Sequence, residues 1–154
     1  MEKTPKNYDV LIIGAGPAGA NAAISYKNLN PNLTVALVDK ATFPRDKSCG
    51  DAIGPGVISA LKRFNNEHIL DGEPQVVSTT LYGPENIGIQ NYIPEVKNKE
   101  DSIVYVIPRV DLDNRILDLA KECGVDVYEG YSFVDFTSNL DKSLNVQIKN
   151  ENEN

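Results

Sequence analysis

Six residues, Gly14-Ala15-Gly16-Pro17-Ala18-Gly19, carry the clearest chemical signal in this 154-residue chain. They follow the apolar run Tyr8-Asp9-Val10-Leu11-Ile12-Ile13, and twenty residues past Gly19 stands Asp39, at the end of a second apolar run, Leu33-Thr34-Val35-Ala36-Leu37-Val38. The chemistry this pattern serves is recognition of a dinucleotide. Gly14 takes the tight turn out of a strand, Gly16 lets the backbone approach a pyrophosphate, and Gly19 lets a helix lie close on the strand. A helix starting near Pro17 and Ala18 presents free N–H groups and the positive end of its dipole to phosphates. Proline suits that first turn, where no N–H is needed. Asp39 is placed to accept a ribose hydroxyl, and its charge repels a 2′-phosphate, which disfavours an NADP-type adenosine half. GxGxxG alone is a weak sign; the strand before it and the carboxylate-ended strand after it supply the context it requires.

These residues need a scaffold, and the rest of the chain describes one. Val10 to Ile13 is apolar on both faces, as a buried parallel strand should be. Ala18, Ala20, Ala22, Ala23 and Ile24 read as a small-residue helix that packs near the sheet. Residues 28–32, with Pro31, form a helix-to-strand turn. Residues 40–53 make a long polar loop, and long ordered loops tend to carry function. A helix is expected from Gly54-Pro55, with Val57, Ile58, Leu61 and Phe64 on its core face. Strands are expected over 76–82, 87–93 and 102–107, with Gly83-Pro84 and a charged stretch at 98–101 as the turns. A block of strands interrupting a βαβ pattern suggests a subdomain. Asp111 is expected to cap a helix whose apolar face is Leu112, Ile116, Leu119, Ala120 and Cys123, closed by Gly124. The next parallel strand is 125–128. A hairpin follows, 131–136 with 144–149 through the turn at 138–142.

The expected fold is α/β: a Rossmann-like βαβ with a parallel sheet, a β-meander and a partial β-rich substrate subdomain, truncated. The expected domains are 7–66 with 108–149 for the nucleotide and 67–107 for the substrate side. Residues 150–154 are expected to be a disordered tail.

Composition removes several classes. The net charge of −7 argues against a nucleic-acid partner. Residues 1–63 carry eight Lys/Arg and five Asp/Glu, whereas 64–154 carry seven and seventeen, so the basic half is the half with the phosphate motif. No apolar stretch approaches the roughly 18 residues that span a bilayer, and with the polar start, Met1 to Asn7, no signal peptide is expected. Cys49 and Cys123 have neither metal-ligand spacing nor a disulfide framework, and His68 is the only histidine. No metal site is expected. A reducing, cytoplasmic location is, with at most peripheral membrane contact.

A second constellation is Phe43-Pro44-Arg45-Asp46-Lys47-Ser48-Cys49-Gly50-Asp51, with the later Ile107-Pro108-Arg109-Val110-Asp111-Leu112-Asp113. Read by themselves, Arg45 and Lys47 fit a solvated basic loop, Arg109 fits a residue ahead of a helix cap, and Cys49 fits an inert small hydrophobe. Together with Gly14–Gly19 and Asp39, these segments resemble the geranylgeranyl reductase family of flavoproteins. That family shares the p-hydroxybenzoate hydroxylase fold with aromatic monooxygenases and flavin halogenases. The resemblance runs from about residue 7 to residue 137, and the Pro-Arg-Asp-Lys-x-Cys-Gly-Asp run favours the reductases.

The resemblance implies FAD in extended form. Gly14, Gly16, Pro17, Ala18 and Gly19 would cradle its pyrophosphate, Asp39 and Lys40 would lie at the adenosine ribose, and Arg45 and Arg109 along the cofactor. Cys49 and Gly50 would fall near the flavin ring, with Cys49 as the candidate catalytic residue, and the backbone around Val134 would pass the adenine. The implied reaction is reduction of isoprenoid C=C bonds by reduced flavin, on an isoprenoid or lipid substrate, with an electron donor the sequence does not identify. The family's later Gly-Asp motif does not follow residue 137. The chain is therefore expected to be an N-terminal portion, completed by a C-terminal half as a separate chain or else a non-catalytic nucleotide-binding fragment. Purified alone, it is expected to bind FAD weakly or not at all. A monooxygenase or halogenase on the same fold is the other alternative.

Overall fold

The computed structural model describes residues 6–92 and 103–151. By its contacts the chain forms two compact units, one running to Lys47 and resuming at Val110, the other Ser48–Arg109. The 98–101 turn and the tail beyond residue 151 lie outside the described residues.

The first unit is built on a parallel sheet of β1 (Val10–Ile13), β2 (Val35–Asp39) and β7 (Asp126–Glu129), with β2 in the middle. Val10 aligns with Val35 and Ile13 with Val38; across the other edge Ala36 aligns with Asp126 and Asp39 with Glu129. The central strand shows the pattern a doubly covered parallel strand requires: Val35, Ala36, Leu37 and Val38 are all buried. Burying each of the larger side chains, Val35, Leu37 and Val38, contributes roughly 1.5–3 kcal/mol. Helix α1 (Pro17–Leu29) joins β1 to β2 and buries Ala20, Ala23 and Ile24, the i, i+3, i+4 stripe of one face. Asp9 fastens the start of β1 to β2 by accepting the Thr34 N–H at 2.7 Å and hydroxyl at 2.8 Å.

Helix α3 (Arg109–Glu122) precedes β7. Leu112, Ile116, Leu119 and Ala120 are buried as the periodicity requires, and so are Leu117 and Asp113. Gly124, at φ +80°, ends the helix: its N–H donates to Lys121 O and that of Val125 to Ala120 O. After β7 comes the antiparallel hairpin β8 (Tyr131–Ser138) and β9 (Leu144–Asn150), with a bulge between Phe133 and Asp135.

The second unit pairs β3 (Ala52–Ile53) with β6 (Tyr105–Val106) and β4 (Ser78–Tyr82) with β5 (Gly88–Tyr92), both antiparallel. Its core gathers Ile53 of β3, Ile58 and Leu61 of α2 (Pro55–Lys62), Ile69 and Leu70 of a one-turn 3₁₀ helix at Glu67–Leu70, and Ile107 just after β6.

Two local expectations need correction. Val57 is exposed although it follows the helical spacing, because an eight-residue helix buries only the narrow stripe of Ile58 and Leu61. Helix α3 starts at Arg109, so Asp111 sits inside its first turn. A carboxylate far away in sequence meets the first N–H instead: Asp51 Oδ1 accepts from Arg109 at 3.1 Å.

Candidate functional site

The strand–turn–helix junction of the first unit opens a cavity of about 570 Å³. Gly14, Gly16, Pro17, Ala18, Gly19, Asp39, Lys40 and Arg45 all line it, joined by Lys47. Three glycines make it for three different reasons. Gly14 has φ +101°, a left-handed conformation that lets the chain leave β1 while its N–H still bonds Val38 O at 2.7 Å. A Cβ on Gly19 would lie 1.8 Å from the Gly14 carbonyl oxygen, so only glycine lets α1 start against the turn. Gly16 has ordinary dihedrals, with φ −66°; its missing side chain keeps clear the space under Arg45, whose Nη2 would lie 3.4 Å from a Cβ there.

The N-terminus of α1 faces this space with Pro17 in its first turn, no side-chain cap and no acidic first-turn residue. Its first N–H groups and dipole are therefore presented to an anion. Asp39 closes one side. Its Oδ2 accepts the Ala15 N–H at 2.7 Å and its Oδ1 the Ala41 N–H at 2.8 Å. A carboxylate has about four lone-pair sites, so two bonds leave room for hydroxyl donors. Lys40, Arg45 and Lys47 add positive charge. The donor set fits a dinucleotide pyrophosphate with an unphosphorylated ribose.

Arg45 is held from behind. Its side chain is one-fifth exposed, at 20%, and Nη2 lies 3.7 Å from the Asp113 carboxylate, which has no exposed surface. Its guanidinium carbon sits 4.9 Å from the centre of the Phe43 ring. The sequence reading gave Asp113 no role of its own; there it only ends the 107–113 segment. A signal existed, because Asp113, Ile116, Leu117 and Ala120 share helical spacing, which puts an acid on the buried stripe of α3.

Cys49, Gly50 and Arg109 belong to the second unit. There the Asp51 N–H, followed by the Arg109 guanidinium, holds the exposed Cys49 thiol below its usual range. Asp51 takes a left-handed φ of 55°, and its carbonyl also accepts the Ile107 N–H. Cys123 is the opposite case, half-buried, and burial pushes its thiol up. Val134 is not brought to the glycine cavity. It sits at the β8 bulge and lines a separate space of about 1020 Å³ with Tyr8, Leu11, Tyr128 and Val146. Among the described residues no group of three or more His, Cys, Asp or Glu could hold a metal. None of their helices is long and apolar enough to cross a membrane.

Comparison with known proteins gives the site its context. No family model matches the chain. The menaquinone reductase of Mycolicibacterium smegmatis is 33% identical over 129 residues, covering 84% of this chain and 30% of that protein. The digeranylgeranylglycerophospholipid reductase of Picrophilus torridus is 29% identical over 124 residues, covering 79% of this chain and 30% of that protein. Among solved structures, the myxobacterial chondrochloren halogenase, an FAD-dependent halogenase, superposes with a TM-score of 0.74 at 24% identity over 96% of this chain and 34% of its own. The chain thus spans about 30% of the length of the curated relatives it matches.

Proposed function

We propose, from the chain's likeness to menaquinone and digeranylgeranylglycerophospholipid reductases and to an FAD-dependent halogenase, that the Gly14–Gly19 cavity holds the ADP half of FAD for a reductase of isoprenoid double bonds. One observation carries the reading: a glycine turn, an uncapped helix start, a ribose-type carboxylate and an arginine converge on one cavity. In this role Gly14, Gly16 and Gly19 admit the pyrophosphate to the backbone, and the first N–H groups of α1, with Arg45, bind its oxygens. Asp39, with Lys40 beside it, accepts from the adenosine ribose. Bound FAD supplies the redox chemistry, and the protein supplies binding and orientation. For Cys49, Gly50 and Arg109 a flavin-side role is a proposal carried by the family resemblance, as is the adenine-side role of Val134.

The choice of an isoprenoid substrate is supported by the two curated relatives, whose names are those of menaquinone and geranylgeranyl-lipid reductases. An electron donor, and a polypeptide corresponding to the rest of the relatives' length, belong to the same proposal. The halogenase superposition favours a second reading, oxidative chemistry on the same cofactor. Two assays separate them. With chemically reduced FAD and menaquinone or an isoprenoid diphosphate, the proposed reductase yields product heavier by two hydrogens per double bond. Halide incorporation into an aromatic acceptor under air, with no saturation of the isoprenoid, would support the second reading instead. Titration with ADP tests the shared premise, and absence of binding would remove both.

A further inference from the structure

We propose that Asp113 is a positioning residue for phosphate recognition: its buried carboxylate on α3 holds the Arg45 guanidinium over the Gly16 backbone, where a diphosphate needs a forked donor. This rests on the dinucleotide reading of the cavity. Three observations converge on one guanidinium. Arg45 Nη2 lies 3.7 Å from Asp113, whose side chain is 0% exposed. The same Nη2 lies 3.4 Å from where a Cβ on Gly16 would stand, so the guanidinium bridges the buried acid and the glycine turn. The Phe43 ring packs against the same guanidinium, its centre 4.9 Å from the guanidinium carbon.

A buried charge is costly, and a packed apolar residue of similar volume is often at least as stable as a buried ion pair. Position 113 lies on a stripe otherwise filled by Leu112, Ile116, Leu117 and Ala120, where an apolar residue would pack. Stability alone therefore does not explain an acid there. Guanidinium has five donors in a fixed plane, so a pair made to Asp113 on one side leaves others for phosphate oxygens. Fixing that plane in advance removes the ordering cost from the binding step.

The test is calorimetric titration of the full chain and of Asp113→Asn, Arg45→Met and the double variant, with ADP and with adenosine, alongside melting temperatures. Asp113→Asn and Arg45→Met should each weaken ADP binding about tenfold, the scale of one charge-assisted bond. Adenosine affinity should not move, because adenosine has no phosphate to meet Arg45. The double variant should be no weaker than either single one. A lowered melting temperature with unchanged ADP affinity in Asp113→Asn would reduce Asp113 to a loop anchor and overturn the proposal. If Asp113→Asn does not fold, Arg45→Met carries the test, and unchanged ADP affinity there overturns it equally. No ADP binding by the unmutated chain would overturn the nucleotide reading, and this inference with it.

Discussion

The carboxylate of Asp39 accepts the backbone N–H of Ala15 at 2.7 Å, tying the end of β2 to the glycine turn that leaves β1. Its second oxygen takes the Ala41 N–H, so one side chain orders both rims of the cavity. Asp39→Asn keeps the shape and removes the charge. It should weaken ADP binding and narrow the preference for ADP over its 2′-phosphorylated analogue, because the repulsion of a 2′-phosphate is gone. Hydrogen bonds to a charged group contribute about 1.5–3 kcal/mol, so a fall in ADP affinity of about ten- to a hundredfold is expected by calorimetry. An unchanged preference between the two nucleotides would show that Asp39 does not face the ribose.

Two glycines in the same turn should respond in opposite ways. Gly19→Ala sets a Cβ against the Gly14 carbonyl oxygen, a backbone atom that moves only if α1 moves. Overpacking of this kind costs about 1–3 kcal/mol, and the melting temperature should fall. Gly16→Ala has compatible dihedrals and meets only the Arg45 guanidinium. Its melting temperature should hold or rise, as alanine reduces the entropy of the unfolded chain, while ADP affinity falls. Thermal melts paired with titrations read both effects.

Asp9 links β1 to Thr34, and these bonds depress its carboxyl below the ordinary aspartate value of 3.8. A depressed folded value means the stabilisation is present above the unfolded value and is lost as pH falls through the folded one. Asp9→Ala should therefore melt below the unmutated chain at pH 7, and the gap should close as the pH drops below 3.8. A gap that persists at lower pH would assign the effect to packing instead of charge.

The two cysteines should differ in reactivity. Cys49 is exposed, with its thiol lowered by the Asp51 N–H and Arg109, whereas burial raises Cys123. The thiolate is the nucleophile, so mass spectrometry after brief iodoacetamide treatment at neutral pH should find label on Cys49 first. Arg109→Met should slow that labelling, and equal rates at the two sites would contradict the described environment.

What was legible in the sequence is what is local. The β1–α1–β2 unit is written in consecutive residues, where strand composition, turn glycines and helical spacing all agree, and the structure puts Gly14–Gly19 and Asp39 on one cavity. The β8–β9 hairpin and Gly124 closing α3 are equally local. The misses are pairings across sequence. Asp51 meets the first N–H of α3 from fifty-eight residues away, so the nearby Asp111, which lies within the first turn, looked like the cap. Asp113 stood out only as the end of the 107–113 segment, because its partner Arg45 sits on a distant loop. Val57 was misplaced because periodicity fixes an arc and not its width.

The most direct measurement is an amide-resolved NMR titration of the isotopically labelled chain with ADP. A dinucleotide site at the glycine turn predicts saturable shifts at residues 14–19, 39–41 and 45, with any adenine-side shift at Val134 accompanying them. Saturable shifts that leave residues 14–19, 39–41 and 45 unmoved, or no saturable shift at all, would contradict it.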